Sequence, residues 1–82
     1  RTGIAQAPAG AIVIVDPDSP ASADDLVLVK INETISVFKF HIGGDGSGYL
    51  SVDDTRVPLA PVSGSSSVVG PIVQVFIPEL KR

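Results

Sequence analysis

Four aspartates stand close together in one short loop, and they are the residues of this chain best suited to bind a metal ion. They are Asp16, Asp18, Asp24 and Asp25, in the segment DPDSPASADD. Short carboxylates in a loop suit calcium, which takes about six to eight oxygen ligands. The same residues also stabilise turns, because an Asp carboxylate accepts hydrogen bonds from nearby backbone. The loop therefore predicts either a calcium site or ordinary turn chemistry.

The stretch GGDGSGYLSVDD, residues 43–54, is the second candidate. Aligned with an EF-hand loop, it places Gly43 where the first carboxylate ligand is required. Aligned with a calcium-binding β-roll repeat, it places Gly48 at the liganding Asp position. A phosphate-binding loop needs a following helix, whereas a strand pattern follows here. Two alternating runs flank Asp45-Gly46, a pair that favours positive φ, so the stretch predicts a β-hairpin.

Two further residues have a possible chemical role. His41 is the single histidine, and without a second His or a Cys it predicts no zinc site. As a catalytic base it would need a serine partner, and the sequence alone selects none, so no catalytic residue is predicted and the chain is expected not to be an enzyme. Asn32-Glu33-Thr34 forms an N-glycosylation sequon between two strands, which makes Asn32 a candidate modification site.

Length and charge limit the possible functions. The chain has 82 residues, 44% of them hydrophobic, with no Cys and a net charge of −3. One small core of this size is marginally stable, so a metal, neighbouring subunits or flanking domains are expected to support it. The basic residues are scattered, which predicts no nucleic-acid partner. No apolar run approaches the roughly 20 residues of a membrane helix, so no membrane span is predicted.

The hydrophobic pattern predicts the elements that would position these residues. Short runs rich in Val and Ile are separated by Pro, Gly and Asp, and no run has helical periodicity. The predicted fold is all-β, a small antiparallel β-sandwich or partly open barrel, which strand exchange with a neighbouring subunit could complete. Residues 1–10 are expected to be a flexible arm or linker and residues 11–82 a single β domain. The expected strands are 11–15, 26–31, 35–42, 49–52 and 68–77, with 56–62 as an edge segment because of its two prolines.

Two motifs carry a resemblance to a known family. VDPDSPASADDLVLVKI resembles the start of cadherin-like repeats, including those of chondroitin-sulfate proteoglycans. FKFHIGGDGSGYLSV is similar to the hairpin of the same family, and together the motifs cover residues 15–52. The resemblance implies an extracellular β-sandwich, with Asp16 and Asp18 as calcium ligands. The segment VVGPIVQVFIPELKR has no counterpart in the family.

The functional expectation follows from the strands and from this resemblance. AIVIV and IVQVFI are apolar on both faces in a chain too short to cover them, which indicates a partner sheet. The chain is therefore expected to be a structural, adhesion or assembly module that acts through protein–protein contact, as a homo-oligomer or in a larger assembly. The expected location is extracellular, on a cell or virion surface. The alternatives are a repeating virion-shell or filament subunit, a processed fragment that forms β-rich fibrils, and a small enzyme or inhibitor.

Overall fold

The computed structural model describes residues 4–62 and 66–78, and those residues form strands and turns without a helix. The all-β prediction is therefore confirmed. The strands form one six-stranded antiparallel sheet that is not closed into a barrel. Their bounds are β1 Ile12–Val15, β2 Leu26–Ile31, β3 Thr34–Ile42, β4 Gly48–Ser51, β5 Ala60–Pro61 and β6 Ser66–Phe76. Within the described ranges, no helix is present that could cross a membrane.

The sheet is built from neighbouring hairpins and one long returning strand. Its strand order is β1-β6-β2-β3-β4-β5. β2 and β3 pair over six residues, from Leu26 opposite Lys39 to Ile31 opposite Thr34. β5 has only two residues, one of which is Pro61, because proline cannot donate a hydrogen bond to the ladder.

β6 exchanges its pairing partner halfway along its length. Its first half, residues 66–71, pairs with β2, and residues 72–76 pair with β1. A register shift lies in each ladder, consistent with the bend that a β-bulge introduces. At the exchange point a Cβ on Gly70 would lie 2.6 Å from the backbone oxygen of Asp16, so only glycine allows this approach. We call β1 together with residues 72–76 the ribbon.

Two apolar clusters cover the two faces of the sheet. One contains Val27, Val29 and Leu50, with the rings of Phe38 and Phe40 packed against it. The other contains Val37 and two residues from before the first strand, Ile4 and Ala7. Side chains along a strand alternate between faces, which is why Val37 and Phe38 contribute to different clusters.

The segment 4–10 packs on the sheet through two side chains. Ile4 is 2% exposed and Ala7 is 1% exposed, and the Ala7 amide donates to the Ile4 carbonyl oxygen at 3.1 Å. The Ala5 amide donates to Asp53 Oδ2 at 2.7 Å, which connects this segment to the residues after β4. Residues 1–3 lie outside the described part of the chain. The division between an arm, 1–10, and a domain, 11–82, stays a prediction, although the described part of the arm covers the inner side of the ribbon.

Candidate functional site

A polar cluster lies on one face of the β3–β4 hairpin. In this hairpin Lys39 pairs with Ser51 and His41 pairs with Tyr49, so all four side chains point to the same face. His41 Nε2 and Ser51 Oγ are 2.7 Å apart, in a partly buried hydrogen bond. Val37 lies on the same face of β3 as Lys39 and His41, and it packs against Ile4 and Ala7. The polar cluster and the segment 4–10 therefore lie on the same face of the sheet.

The His41–Ser51 pair has the geometry of a nucleophile and a base. A catalytic pair of this kind also needs a third group that orients the imidazole. Within the part of the chain that the structure describes, no acidic side chain bonds the other ring nitrogen of His41. The pair can hold the two strands in register and can bind a polar ligand. The sequence alone did not reveal it, because only the strand register places Ser51, of all the serines, beside His41.

The Gly-rich stretch is a hairpin loop, as predicted. The Gly43 amide donates to the Ser47 carbonyl oxygen at 2.8 Å, and Gly46 has a φ of 85°. Asp45 Oδ1 accepts from the Ser47 amide at 3.0 Å. Hydrogen bonds from Ser47 hold the pKa of the Asp45 carboxyl below its usual value. Asp45 thus stabilises the loop by accepting a hydrogen bond from backbone two residues on.

The two aspartates that follow β4 have separate partners. Asp53 accepts the Ala5 amide, as described above. Asp54 Oδ2 lies 2.9 Å from Arg56 Nη2 in an exposed ion pair. The Arg56 side chain lowers the pKa of Asp54, and Asp54 raises the pKa of Arg56. Exposed pairs of this kind add little stability.

The predicted calcium ligands lie in two successive turns of the β1–β2 loop. Asp16 Oδ2 accepts from Ser19 Oγ at 2.7 Å, and Asp16 Oδ1 accepts from the Asp18 amide at 3.1 Å. Asp25 Oδ2 accepts from the Ser22 amide at 2.8 Å, and Asp24 has a positive φ of 71°. Among the described residues, no three His, Asp or Glu side chains are grouped to hold a metal ion. The calcium site at Asp16, Asp18, Asp24 and Asp25 stays a prediction.

Asn32 lies where the sequon would be accessible. It occupies the turn between β2 and β3, is exposed, and has a φ of 55°. Asn tolerates this left-handed conformation better than most residues, which explains its position in the turn without any modification. Glycosylation of Asn32 stays a prediction.

A small cavity lies between the segment 7–11 and strands β2 and β3. Its volume is about 150 Å³, and Val13, Leu28 and Ile35 contribute to its walls. Sites for small organic ligands usually measure about 300–1,000 Å³. This cavity is therefore a packing gap under the ribbon rather than a site of the usual ligand size.

Comparison with known proteins gives one consistent relationship. The chain is similar to the HTH-type transcriptional regulators of three conjugative elements: R391 from Providencia rettgeri, SXT from Vibrio cholerae and pMERPH from Shewanella putrefaciens. Each is 28% identical to the chain over 71 residues, which cover 85% of this chain and 33% of the relative. The chain thus spans about a third of the length of the curated relatives it matches. No protein-family model matches the chain.

These relatives correct several expectations from the sequence. The cadherin-like resemblance is wrong, because its motifs of a strand, an Asp-rich turn and a hairpin occur in many β domains. The structural, adhesion, virion and fibril interpretations and the extracellular location are also wrong, because the similar proteins are named as transcriptional regulators. The expectation of no nucleic-acid partner is also wrong, since the relatives are named as HTH-type transcriptional regulators. Their names do not describe enzymes, which agrees in part with the non-enzyme expectation.

Proposed function

We propose that this chain is a β domain of a transcriptional regulator that acts on DNA inside the cell. The observation that carries the proposal is the extent of the match. It covers 85% of this chain but only a third of each regulator. Three regulators named for different conjugative elements each match over 71 residues at 28% identity.

The fold indicates which part of a regulator this chain represents. A helix-turn-helix places its second helix in the major groove of DNA. Residues 4–62 and 66–78 contain no helix, so on this proposal the recognition helix lies in sequence outside them. The β domain would then control the regulator, by joining subunits or by responding to a signal, while the complete protein binds its operator.

The proposal also includes the absence of a catalytic role. Ser51 and His41 form the single Ser–His hydrogen bond among the described residues, so they provide the test. A fluorophosphonate probe is expected not to label Ser51 in the full-length protein. Labelling of wild-type protein that is lost in both Ser51→Ala and His41→Ala variants would contradict a purely regulatory domain.

The DNA-binding function is tested by selection from a random pool of double-stranded DNA with the full-length protein. The expected result is enrichment of one site made of two related half-sites about one helical turn apart. Affinity for that site is expected to exceed affinity for random DNA by at least about a thousandfold. Equal binding to all sequences, or no binding at about 50 mM salt, would contradict the proposal.

A further inference from the structure

The segment 4–10 packs on the sheet without joining it. In the described part of the chain, its residues form turns and belong to none of the six strands. Two of its side chains, Ile4 and Ala7, are buried together with Val37 of β3. A segment outside the ladders of a sheet can separate from it without breaking the strand pairing. The attachment of this segment therefore depends on side-chain packing and on local bonds.

A hydrogen bond to a carboxylate ties the first half of the segment to a distant part of the chain. The Ala5 amide donates to Asp53 Oδ2 at 2.7 Å, across 48 positions in the sequence. A carboxylate makes stronger hydrogen bonds than a neutral oxygen because it carries a negative charge. Asp54, the next residue, accepts instead from the backbone and the side chain of Arg56. Asp53 is therefore the aspartate of this pair that is placed to hold the segment.

The second half of the segment has the features of a hinge. Residues 8–11 form a turn in which the Ala11 amide donates to the Pro8 carbonyl oxygen at 3.0 Å. Gly10 has a φ of 90° in this turn, and a Cβ built on it would meet no atom within 4 Å. A positive φ at the third residue is typical of a type II turn, where glycine is favoured. The backbone at Gly10 therefore changes conformation at little steric cost.

Two cavities lie against the same turn. The cavity under the ribbon and a second one beside Ile77 and Pro78 each measure about 150 Å³. Ala9, Gly10 and Ala11 line both of them. Atoms that face a gap lose the contacts they would make in a filled interior, so this turn is packed less tightly than the core. The segment is thus firmly held at its first half and loosely packed at its second.

We propose that the segment 4–10 is a strap that opens away from the sheet while the six strands stay paired. The turn at Gly10 is its hinge, and the bond between Ala5 and Asp53 is its latch. Opening uncovers the inner side of the ribbon and Val37, which is 5% exposed when the strap is closed. The domain then has two states that share one sheet and differ in one apolar face.

The strap goes beyond the proposed function and does not depend on it. It is inferred from packing and hydrogen bonds within this chain, so it holds whether or not the full-length protein binds DNA. Switches in regulatory proteins are built on elements that have two states close in free energy. An opening strap supplies such an element within the β domain itself.

Thiol labelling with iodoacetamide measures the opening, because residues 1–82 contain no cysteine. Ala7→Cys places a reporter on the strap and Val37→Cys places one beneath it. Val29→Cys reports unfolding of the sheet, because Val29 is 0% exposed in β2. Each variant is made in the full-length protein after any cysteine outside these residues is replaced by serine. The first two are expected to react at least about a hundredfold faster than Val29→Cys, with a weaker dependence on urea because opening exposes less surface than unfolding.

The latch is tested by a matched pair of substitutions added to the first two reporters. Asp53→Ala removes the acceptor of the Ala5 amide and is expected to raise both labelling rates about five- to tenfold. Asp54→Ala removes an aspartate that bonds Arg56 in an exposed ion pair, and it is expected to leave both rates within about twofold. Equal effects of the two substitutions would overturn the role of Asp53 as the latch.

Two results would overturn the strap itself. Equal labelling rates at all three cysteines, with the same urea dependence, would mean that the segment leaves the sheet only when the domain unfolds. Fast labelling of Ala7→Cys without fast labelling of Val37→Cys would mean that the segment frays without uncovering the sheet. If the Ala7→Cys protein does not fold, the comparison of Val37→Cys with Val29→Cys decides. None of these results changes the test of DNA binding, so the proposed function stands or fails separately.

Discussion

The two edges of this sheet differ in how they are protected. β5 has two residues, and Pro58 and Pro61 prevent regular pairing beyond it. β1 has four β-branched residues, no proline and no charge, and its outward side chains are exposed. We call the β5 end of the sheet, which its prolines protect, the closed edge, and we call the β1 end the open edge. The comparison shows that proline limits strand pairing at one end of the sheet, whereas the other end is a short run of Ile and Val.

The largest expected effect comes from a change in β2, an interior strand of the sheet. Val27 in β2 is completely buried, and a Val27→Asp change would place an unpaired charge there. The free energy of unfolding is expected to fall by more than about 4 kcal/mol. Urea denaturation measures this free energy. Val57→Asp in the exposed β4–β5 loop is the control, and its free energy of unfolding is expected to stay within about 0.5 kcal/mol of wild type. A fully stable Val27→Asp protein would contradict the described core.

A second change removes packing beneath the ribbon and the central strands. Ile4→Ala removes a buried side chain from beneath the ribbon, and it is expected to cost about 2–5 kcal/mol in the free energy of unfolding. Thermal denaturation measures the effect. An unchanged melting temperature would show that residues 4–10 do not pack on the sheet in solution.

The matching change at the closed edge is Gly48→Ala in β4. A Cβ there would lie 2.8 Å from Cε1 of the Phe40 ring, so the ring would have to move within its cluster. The expected loss is about 1–3 kcal/mol in the free energy of unfolding. Gly44→Ala is the control, because a Cβ at Gly44 meets no atom within 4 Å. Equal stability of the Gly48→Ala and Gly44→Ala proteins would contradict the described contact between Gly48 and the Phe40 ring.

The smallest expected effect is a pH dependence in the loop beside the open edge. Hydrogen bonds from Ser19 and the Asp18 amide hold the pKa of Asp16 below its usual value of 3.8. A lowered folded-state pKa means that Asp16 stabilises the fold above pH 3.8, and that this contribution is lost as pH falls through the folded pKa. Between pH 5 and about pH 2, the melting temperature is expected to fall less steeply with decreasing pH in Asp16→Asn than in wild type. Parallel curves for the two proteins would show that the bonded carboxylate adds no stability.

The sequence predicted the local parts of the fold well. β2 has the predicted bounds, 26–31, and the 43–47 loop forms the predicted hairpin, because alternation and Asp-Gly turn chemistry act over a few residues. The burial of Ile4 and Ala7 was not predictable, since an irregular segment of small residues has no periodicity. The change of pairing partner along β6 was also not predictable, because it depends on strands that are distant in the sequence.

The chemistry of the site was predictable only in part. Asp45 and Asp16 stabilise turns in the manner that their sequence context indicates. The His41–Ser51 contact depends on the register between β3 and β4, so the sequence offered several serines and no means of choosing. The family resemblance was misleading for a related reason. Its motifs describe a strand–turn–strand pattern that β domains with different functions share.

The most direct test of the account is equilibrium binding of the full-length protein to its selected DNA site. Wild-type protein is compared on the selected site and on random DNA of the same length at one salt concentration, because affinity for DNA depends strongly on salt. The account predicts that the selected site is bound at least about a thousandfold more tightly than random DNA. Equal affinity for the two DNAs would contradict a β domain that belongs to a DNA-binding regulator.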